Sequence, residues 1–594
     1  MACLPAICHN TYMRFIVFLL LFFFPLLSIG SNTPLRVEVT GLNKDEKKIL
    51  LAALSIKNAE HEKHLTEERV LNLHQFASEE ILTTLQALGF YHPTIDSTLY
   101  TTDSGWIAEY NIIPGPPISI QSLSLKLVGR GKENPELKAM MEKSPLILGA
   151  VLKHNTYETF KQNWLGKALQ LGYLDAVFTI NEIRLDTNRN CADIILEMDT
   201  GIQYNFGSVT FVSPPYPTHY LNRYIPFSKG SPYTTEQLLL FQKNLIDTDL
   251  FTKVRIDPNL NEAEYREVPL KVRLTPRPHN KYIASTGFGS DTGLRGTLGY
   301  ERRLTSYPGH RFNMSVKGSK RLNQGNLQYA IPTKNPATDR LVFGYQVTEE
   351  KTSDKKYSLL EEIGATQIQK RNQLEQILAL QYRHEKFRIL QNQPKITTHF
   401  LLPSIGLIWS NINRKALLPK GVHVSLTVRG GLGLILSTTN LIQAESRFKW
   451  ALPLGESARL ILRTDLGATA ISNPKDFPLS LRFFTGGDHT VRGYGYQSLG
   501  PKGVDQFGNV VVVGGRYLFV GSAEIERQVY KNFSAALFAD SGNAMNHWGP
   551  RLANSVGVGV RWCTPLGPIR LDIAQALPKL KRKPRVHLTF GMDL

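Results

Sequence analysis

From about Lys281 onward hydrophobic residues recur at every second position and no helical period interrupts them. Val586, Leu588, Phe590, Met592 and Leu594 alternate with His587, Thr589, Gly591 and Asp593. Val556, Val558, Val560 and Trp562 alternate with Gly557, Gly559 and Arg561, and Ile569, Leu571 and Ile573 with Arg570 and Asp572. Successive strand side chains point to opposite faces, so each segment has one apolar face and one charged or small one. A soluble sandwich turns the charged face to water, whereas a membrane barrel turns it to the lumen and its apolar face to lipid. Alternation alone fits both. Residues 278–594 number 317, which at roughly 20 residues per strand and connection gives about 16 strands, an even number of the kind barrels use. Closure would also remove the edges that such a sheet otherwise exposes.

The N-terminus favours the barrel. Met13-Arg14 is followed by the apolar run Phe15 to Leu27 and then by Ser28-Ile29-Gly30-Ser31, small residues in the pattern of a signal-peptidase site. Residues 1–30 are therefore expected to be a signal peptide. Cys3 and Cys8 would leave with it, and Cys191 and Cys563 stand far apart in unlike contexts, which argues against a disulfide framework. Beyond residue 30 no run of 18 apolar residues suggests a membrane helix. The net charge of +19 suits a phosphate-rich surface, nucleic acid or anionic lipid alike. Export selects lipid and excludes nucleic acid as the partner.

Between the signal and the barrel, residues 33–277 read as three copies of a β-α-α-β-β unit, at 33–117, 118–201 and 202–277. The first opens with Leu35-Arg36-Val37-Glu38-Val39, and Asn43 with Glu46 forms a capping-box pattern for the helix that follows. Ile81, Trp164 and Phe241 fall at equivalent places on the second helix of each copy, as do Leu85, Ala168 and Leu245. These stripes are core positions. Two helices over a short sheet leave an open strand edge that can pair with an extended peptide, so the repeats are expected to form a peptide-handling arm.

The stretch Leu481–Gly500, LRFFTGGDHTVRGYGYQSLG, departs from strand composition. Glycines at 486, 487, 493, 495 and 500 let the backbone fold back on itself and present one cation, Arg492, at a defined place. Composition equally allows a mobile surface loop. Gly486-Gly487-Asp488 followed by Val491-Arg492-Gly493-Tyr494 resembles the sixth-loop motif of the POTRA-plus-barrel outer-membrane assembly proteins, the bacterial surface antigen superfamily. Gly521-Ser522-Ala523-Glu524 is similar to that superfamily's glutamate-bearing strand, and Phe538-Ala539-Asp540-Ser541-Gly542 to its F-x-D-x-G strand. Gly557 to Trp562 and Pro565 to Asp572 resemble the closing strands of the TamA branch. Three repeats suit that branch.

The resemblance implies a fold of three α+β POTRA repeats followed by a transmembrane antiparallel barrel of about 16 strands at 278–594, in the bacterial outer membrane with the repeats in the periplasm. It implies that Val491, Arg492, Gly493 and Tyr494 enter the lumen and that Arg492 meets the strand carrying Phe538 and Asp540, with Glu524 beside it. Residues alone leave Asp540 and Glu524 both open as its direct partner. It further implies a weak lateral seam between the first strand, at Gly287, Phe288 and Gly289, and the last, at Phe590 and Gly591. Clients would be unfolded outer-membrane proteins, autotransporters among them, and a TamB-like inner-membrane-anchored protein would meet the first repeat. The alternative is a two-partner-type channel that exports one polypeptide. No G-x-S-x-G, phosphate-loop or H-E-x-x-H motif is present, so neither an enzyme, a cofactor nor a metal is expected.

Overall fold

The computed structural model describes residues 34–590 except 63–64, 104, 292, 307–308, 352–355, 392, 413–417, 550, 565–566 and 578–582. The expected signal peptide, Gly591 and most of residues 579–585, which read KLKRKPR, lie outside the described residues. The chain divides into two compact units. One comprises residues 1–208, 229–237 and 260–268, the other residues 209–228, 238–259 and 269–594. The division runs through the third repeat rather than along a repeat boundary.

In the first unit, β1 (Leu35–Thr40), α1 (Lys44–Ala53), α2 (Glu67–Ala87), β2 (Thr94–Thr102) and β3 (Gly105–Ile113) make the first repeat. Asn43 caps α1 through both Asp45 and Glu46 N–H groups, and Glu46 returns a bond to the Asn43 N–H, completing the capping box. β4 (Ser119–Val128), α3 (Pro135–Glu142), α4 (His154–Gln170), β5 (Val177–Asp186) and β6 (Cys191–Asp199) repeat the pattern. The last strand lies in the middle of each sheet, in the orders β1-β3-β2 and β4-β6-β5, and runs parallel to the first. Ile81, Leu85, Trp164 and Ala168 are fully buried beneath these sheets. A third sheet, β7 (Asn205–Val212), β9 (Glu267–Pro276) and β8 (Phe251–Pro258), has the same order.

The second unit joins much of the third repeat to the barrel. Phe241 and Leu245, on α6 (Thr235–Asp247), pack with Tyr220, from α5 (Thr218–Asn222), and with Leu304. Leu304 belongs to the barrel strand Gly293–Ser306, so one cluster spans repeat and barrel. Asp249 accepts from Arg303 Nε at 2.6 Å and pairs with Arg277, and Arg223 Nη2 donates to the Thr333 carbonyl at 2.8 Å. Burial opposes ionisation of Asp249, but the hydrogen bond and charge of Arg303 outweigh it and hold the carboxyl below its ordinary value.

The barrel runs from β10 (Asn280–Gly289) through β11 (Gly293–Ser306), β12 (His310–Ser319), β13 (Leu322–Pro332), β14 (Asp339–Lys351), β15 (Tyr357–Arg371) and β16 (Leu374–Arg388). It continues with β17 (Ile396–Ser410), β18 (Gly421–Gly431), β19 (Leu441–Pro453) and β20 (Ala458–Ile471). After the hairpin β21 (Lys502–Val504) and β22 (Val510–Val512), it ends with β23 (Tyr517–Tyr530), β24 (Phe533–Met545), β25 (Ala553–Thr564), β26 (Gly567–Leu577) and β27 (Arg585–Phe590). Sixteen of these strands close on one another, each antiparallel to its chain neighbour. Leu298, Val316, Leu378, Ile405, Leu537, Val558 and Ile573 remain exposed on the outer face, while Glu526, Asp540, Arg561, Asp572 and His587 are buried within. That inversion of the usual inside and outside is what lipid requires. The end of β11 at Arg303 and the turn after β13 at Thr333 lie at the end facing the third repeat; the connection holding Arg492 lies at the opposite end.

Candidate functional site

Arg492 is held inside the barrel. The connection between β20 and β23 bends inward at Phe483, which pairs with Gly515, and closes a smaller turn where Thr485 pairs with Leu499. Within that turn the Gly486 N–H donates to Thr490 Oγ1 at 2.9 Å, so residues 486–490 hold their own shape. Val491 is fully buried against Gly542, and Arg492 follows it onto the wall formed by β23 to β26.

There Arg492 forks onto Asp540: Nε donates to Oδ2 at 2.8 Å, Nη2 to Oδ1 at 2.9 Å, and its own backbone N–H to Oδ2 at 3.1 Å. Nη1 donates to Glu524 Oε2 at 2.8 Å. The guanidinium carbon sits 3.3 Å from the centre of the Phe538 ring, a stacked cation–π contact. The three candidates Glu524, Phe538 and Asp540 thus converge on one side chain, and both carboxylates bond it directly.

Three further residues complete the cluster. Arg561 donates to Asp572 Oδ1 at 2.5 Å and to Glu524 Oε1 at 2.9 Å, Asp572 Oδ2 lies 3.4 Å from Arg492 Nη1, and Ser522 Oγ donates to Asp540 Oδ1 at 2.6 Å. Two guanidiniums therefore alternate with three carboxylates, and neither sign is left alone among side chains that are at most 13% exposed. Space for this is made by Gly559, where a Cβ would stand 1.9 Å from Asp572 Oδ1 and 2.5 Å from Arg561 Nη1. Strand parity puts Arg561 and Asp572 on the lumen face. Register pairs Arg561 with Arg570, however, and the ion pair to Asp572 is diagonal, which alternation cannot reveal.

The same loop reaches both sides of the junction between β10 and β27. Asp488 N–H donates at 2.7 Å to Asp291 Oδ2, just past the end of β10, and Gly493 N–H donates at 3.3 Å to His587 Nε2 on β27. Tyr494 OH donates to the Leu577 carbonyl at the end of β26, at 3.1 Å. At the junction itself Phe288 pairs with Phe590 and Gly289 with Thr589. Gly287 and Gly289 are buried, and Phe288 is exposed on the outer face. Among the described residues, no group of three or more His, Cys, Asp or Glu is placed to hold a metal ion.

A closed sixteen-stranded barrel behind POTRA-like repeats, with an arginine loop locked into its lumen, defines a class of outer-membrane barrel proteins. Residues 289–593 match the Omp85 superfamily domain, and the chain belongs to that superfamily. Residues 36–114 match the first POTRA domain of TamA, so the N-terminal repeat is TamA-like. The chain is 23% identical over 418 residues to the outer membrane protein assembly factor BamA of Neisseria meningitidis serogroup B, covering 59% of this chain and 51% of that one. It is 23% identical over 455 residues to BamA of Nitratidesulfovibrio vulgaris, covering 68% and 53%. The chain thus spans about half the length of the curated relatives it matches. In fold it resembles the crystal structure of Haemophilus ducreyi BamA lacking POTRA domains 1–3, with a TM-score of 0.62 at 17% identity, covering 80% of this chain and 99% of that one. The protein is an outer-membrane protein with its POTRA repeats in the periplasm, which makes the repeat-facing turns periplasmic and the opposite connections external.

Proposed function

We propose that this protein folds and inserts outer-membrane proteins, autotransporters among them, through a lateral seam between β10 and β27. The observation that carries the reading is the make-up of the β10–β27 junction, where Phe288 pairs with Phe590 and Gly289 with Thr589, and where Gly287 and Gly289 leave two positions of β10 without a side chain. Glycine weakens a strand interior, and a junction that separates offers a client hairpin an unpaired edge to template on and direct access to lipid. The BamA relatives, which are assembly factors, support the same reading. No phosphate-loop motif occurs in the sequence, so the work of insertion is assigned to client folding itself. A TamB-like inner-membrane-anchored partner at the first repeat belongs to this proposal and draws its support from the TamA match there.

The test is in-cell crosslinking from single cysteines at Phe288 and Phe590 to nascent outer-membrane proteins. Clients should be trapped at both positions. Trapping only at lumen positions such as Glu526, and never at these two, would replace the insertase with a channel that exports polypeptide through the lumen.

A further inference from the structure

The external connection between β18 and β19, residues 432–440, is built unlike the others. Each of the seven other external connections contains at least one charged residue, from Asp291 after β10 to the lysines and arginine between β26 and β27. This one reads LGLILSTTN and has none; the uncharged stretch extends from Gly430 to Ala444. Leu432, Leu434, Ile435 and Leu436 are all exposed, Leu434 to 98%.

The tip is nevertheless fixed. β17 pairs with β18 only from Ser404 to Ser410, which leaves its outer half without a strand partner on that side. The loop takes that place. His399 N–H donates to Thr438 Oγ1 at 3.0 Å, Thr438 N–H to the His399 carbonyl at 2.8 Å, and Leu401 N–H to Ser437 Oγ at 3.1 Å. Gly433 N–H bonds Asn440 Oδ1 at 2.8 Å across the neck, and Ser437 and Thr439 are buried. Because residues 437 and 438 occupy the edge of a wall strand, the loop base lies in the barrel wall rather than over its mouth.

Its height follows from the strands. Near the periplasmic end of the wall Trp409 pairs with Val424 and Trp450 with Val422, and both tryptophans are exposed outward. A strand rising about 3.4 Å per residue and tilted by about 40° climbs about 2.6 Å per residue along the normal, so an apolar band about 25 Å tall ends some ten residues higher. Along β18 the outward series Leu426, Val428 leads to Leu432 at that level. The four apolar tip residues therefore continue the lipid-facing band at the outer boundary.

We propose that residues 432–436 form a fixed apolar wedge that dips into the acyl region of the outer leaflet beside β17 and β18. The partner is lipid acyl chain, recognised through the uncharged leucine and isoleucine surface. Charged neighbouring connections stay with the headgroups, where the basic ones meet phosphate. A wedge anchored through backbone bonds to a wall strand would crowd the leaflet locally. This inference stands on the β17 edge and the exposed tip, and does not depend on the insertase reading.

The test uses the protein with Cys191 and Cys563 replaced by serine and the expected signal peptide removed, reconstituted in phospholipid vesicles and labelled with an environment-sensitive fluorophore at Leu434→Cys or, for comparison, at Lys320→Cys. Position 434 should show blue-shifted emission, quenching by lipids spin-labelled near the headgroup, and loss of quenching by aqueous iodide; position 320 should show the reverse. Equal iodide quenching at the two positions would overturn the proposal. So would a blue shift at 434 that appears in detergent and grows with protein concentration, since that outcome makes a second copy of the chain the partner.

Discussion

Arg492 and Asp540 form a three-point contact inside the barrel, two guanidinium bonds of 2.8 and 2.9 Å and one from the arginine backbone at 3.1 Å, with 5% and 0% of their side chains exposed. Truncating one partner of a buried pair leaves the other charged and unpaired, at a cost of about 3–5 kcal/mol. Arg492→Ala should cost more than Asp540→Ala, because it leaves Glu524, Asp540 and Asp572 with Arg561 alone, whereas the aspartate variant leaves Arg492 with Glu524. The double variant should lose less than the sum of the singles. The temperature at which the barrel loses its compact mobility on a gel measures this, and strictly additive losses would show that the contact is not energetic.

Arg492→Lys should fail to restore that temperature. An ammonium can replace one bond to Asp540, but it lacks the planar fork that meets Asp540, Glu524 and the Phe538 ring together. A lysine variant as heat-resistant as the parent would mean that charge alone, and not fork geometry, holds the loop.

The loop also bridges the seam, and Asp291 is its post on the β10 side. Asp291→Ala removes the acceptor for the Asp488 N–H while leaving the β10–β27 pairs Phe288 with Phe590 and Gly289 with Thr589 in place. If the bridge restrains opening, a disulfide between Phe288→Cys and Phe590→Cys should form more slowly in the Asp291→Ala background. An unchanged rate would confine the loop's role to the wall around Arg492.

How much of this was legible depends on whether an interaction is local in sequence. Period two together with an export signal pointed to the barrel, and the helical stripes that contain Ile81, Trp164 and Phe241, one on each of three helices, marked three cores, with all three side chains fully buried. Arg492 stood out because glycines surround it. Its network did not, since Arg561, Asp572 and Ser522 join it through strand register and diagonal contacts that no single segment records. The loop at 432–440 was hidden for a related reason: Leu432 and Leu434 prolong the alternation of Leu426 and Val428, so a strand end and an apolar tip read alike. Burial of Leu304 with the third repeat is equally invisible, because Tyr220, Phe241 and Leu245, in the same cluster, stand far before it in the chain.

Acid should loosen the third repeat from the barrel. Asp249 is held below its ordinary value in the folded protein by Arg303 and Arg277 despite the opposing effect of burial. Its contribution is therefore fully present above the unfolded carboxylate value of about 3.9 and is lost as pH falls through the folded value. Protease cleavage between Arg277 and Asn280 should stay slow at neutral pH and at pH of about 5, then rise below about 4. Asp249→Asn should cleave faster at neutral pH and lose that dependence. A parent protein whose cleavage is flat across the range would remove Asp249 from the junction's energetics.

Two glycines of the loop motif offer the sharpest local contrast. Gly493 has a φ of +90° and stands so close to β26 that a Cβ would meet Ala576 N at 3.1 Å and the Gln575 carbonyl carbon at 3.2 Å. Left-handed backbone costs a non-glycine residue about 1–2 kcal/mol, and here the neighbouring atoms are backbone that cannot step aside. Gly495, two residues on, has no positive φ, and a Cβ there would meet only the Arg585 guanidinium at 3.4 Å or more, ordinary contact with a flexible side chain. Gly493→Ala should therefore lower the heat resistance of the barrel and weaken the neighbouring Arg492 contacts, while Gly495→Ala should leave both unchanged. Equal effects from the two substitutions would mean that the motif's glycines serve flexibility during folding rather than the close approach of residue 493 to the wall.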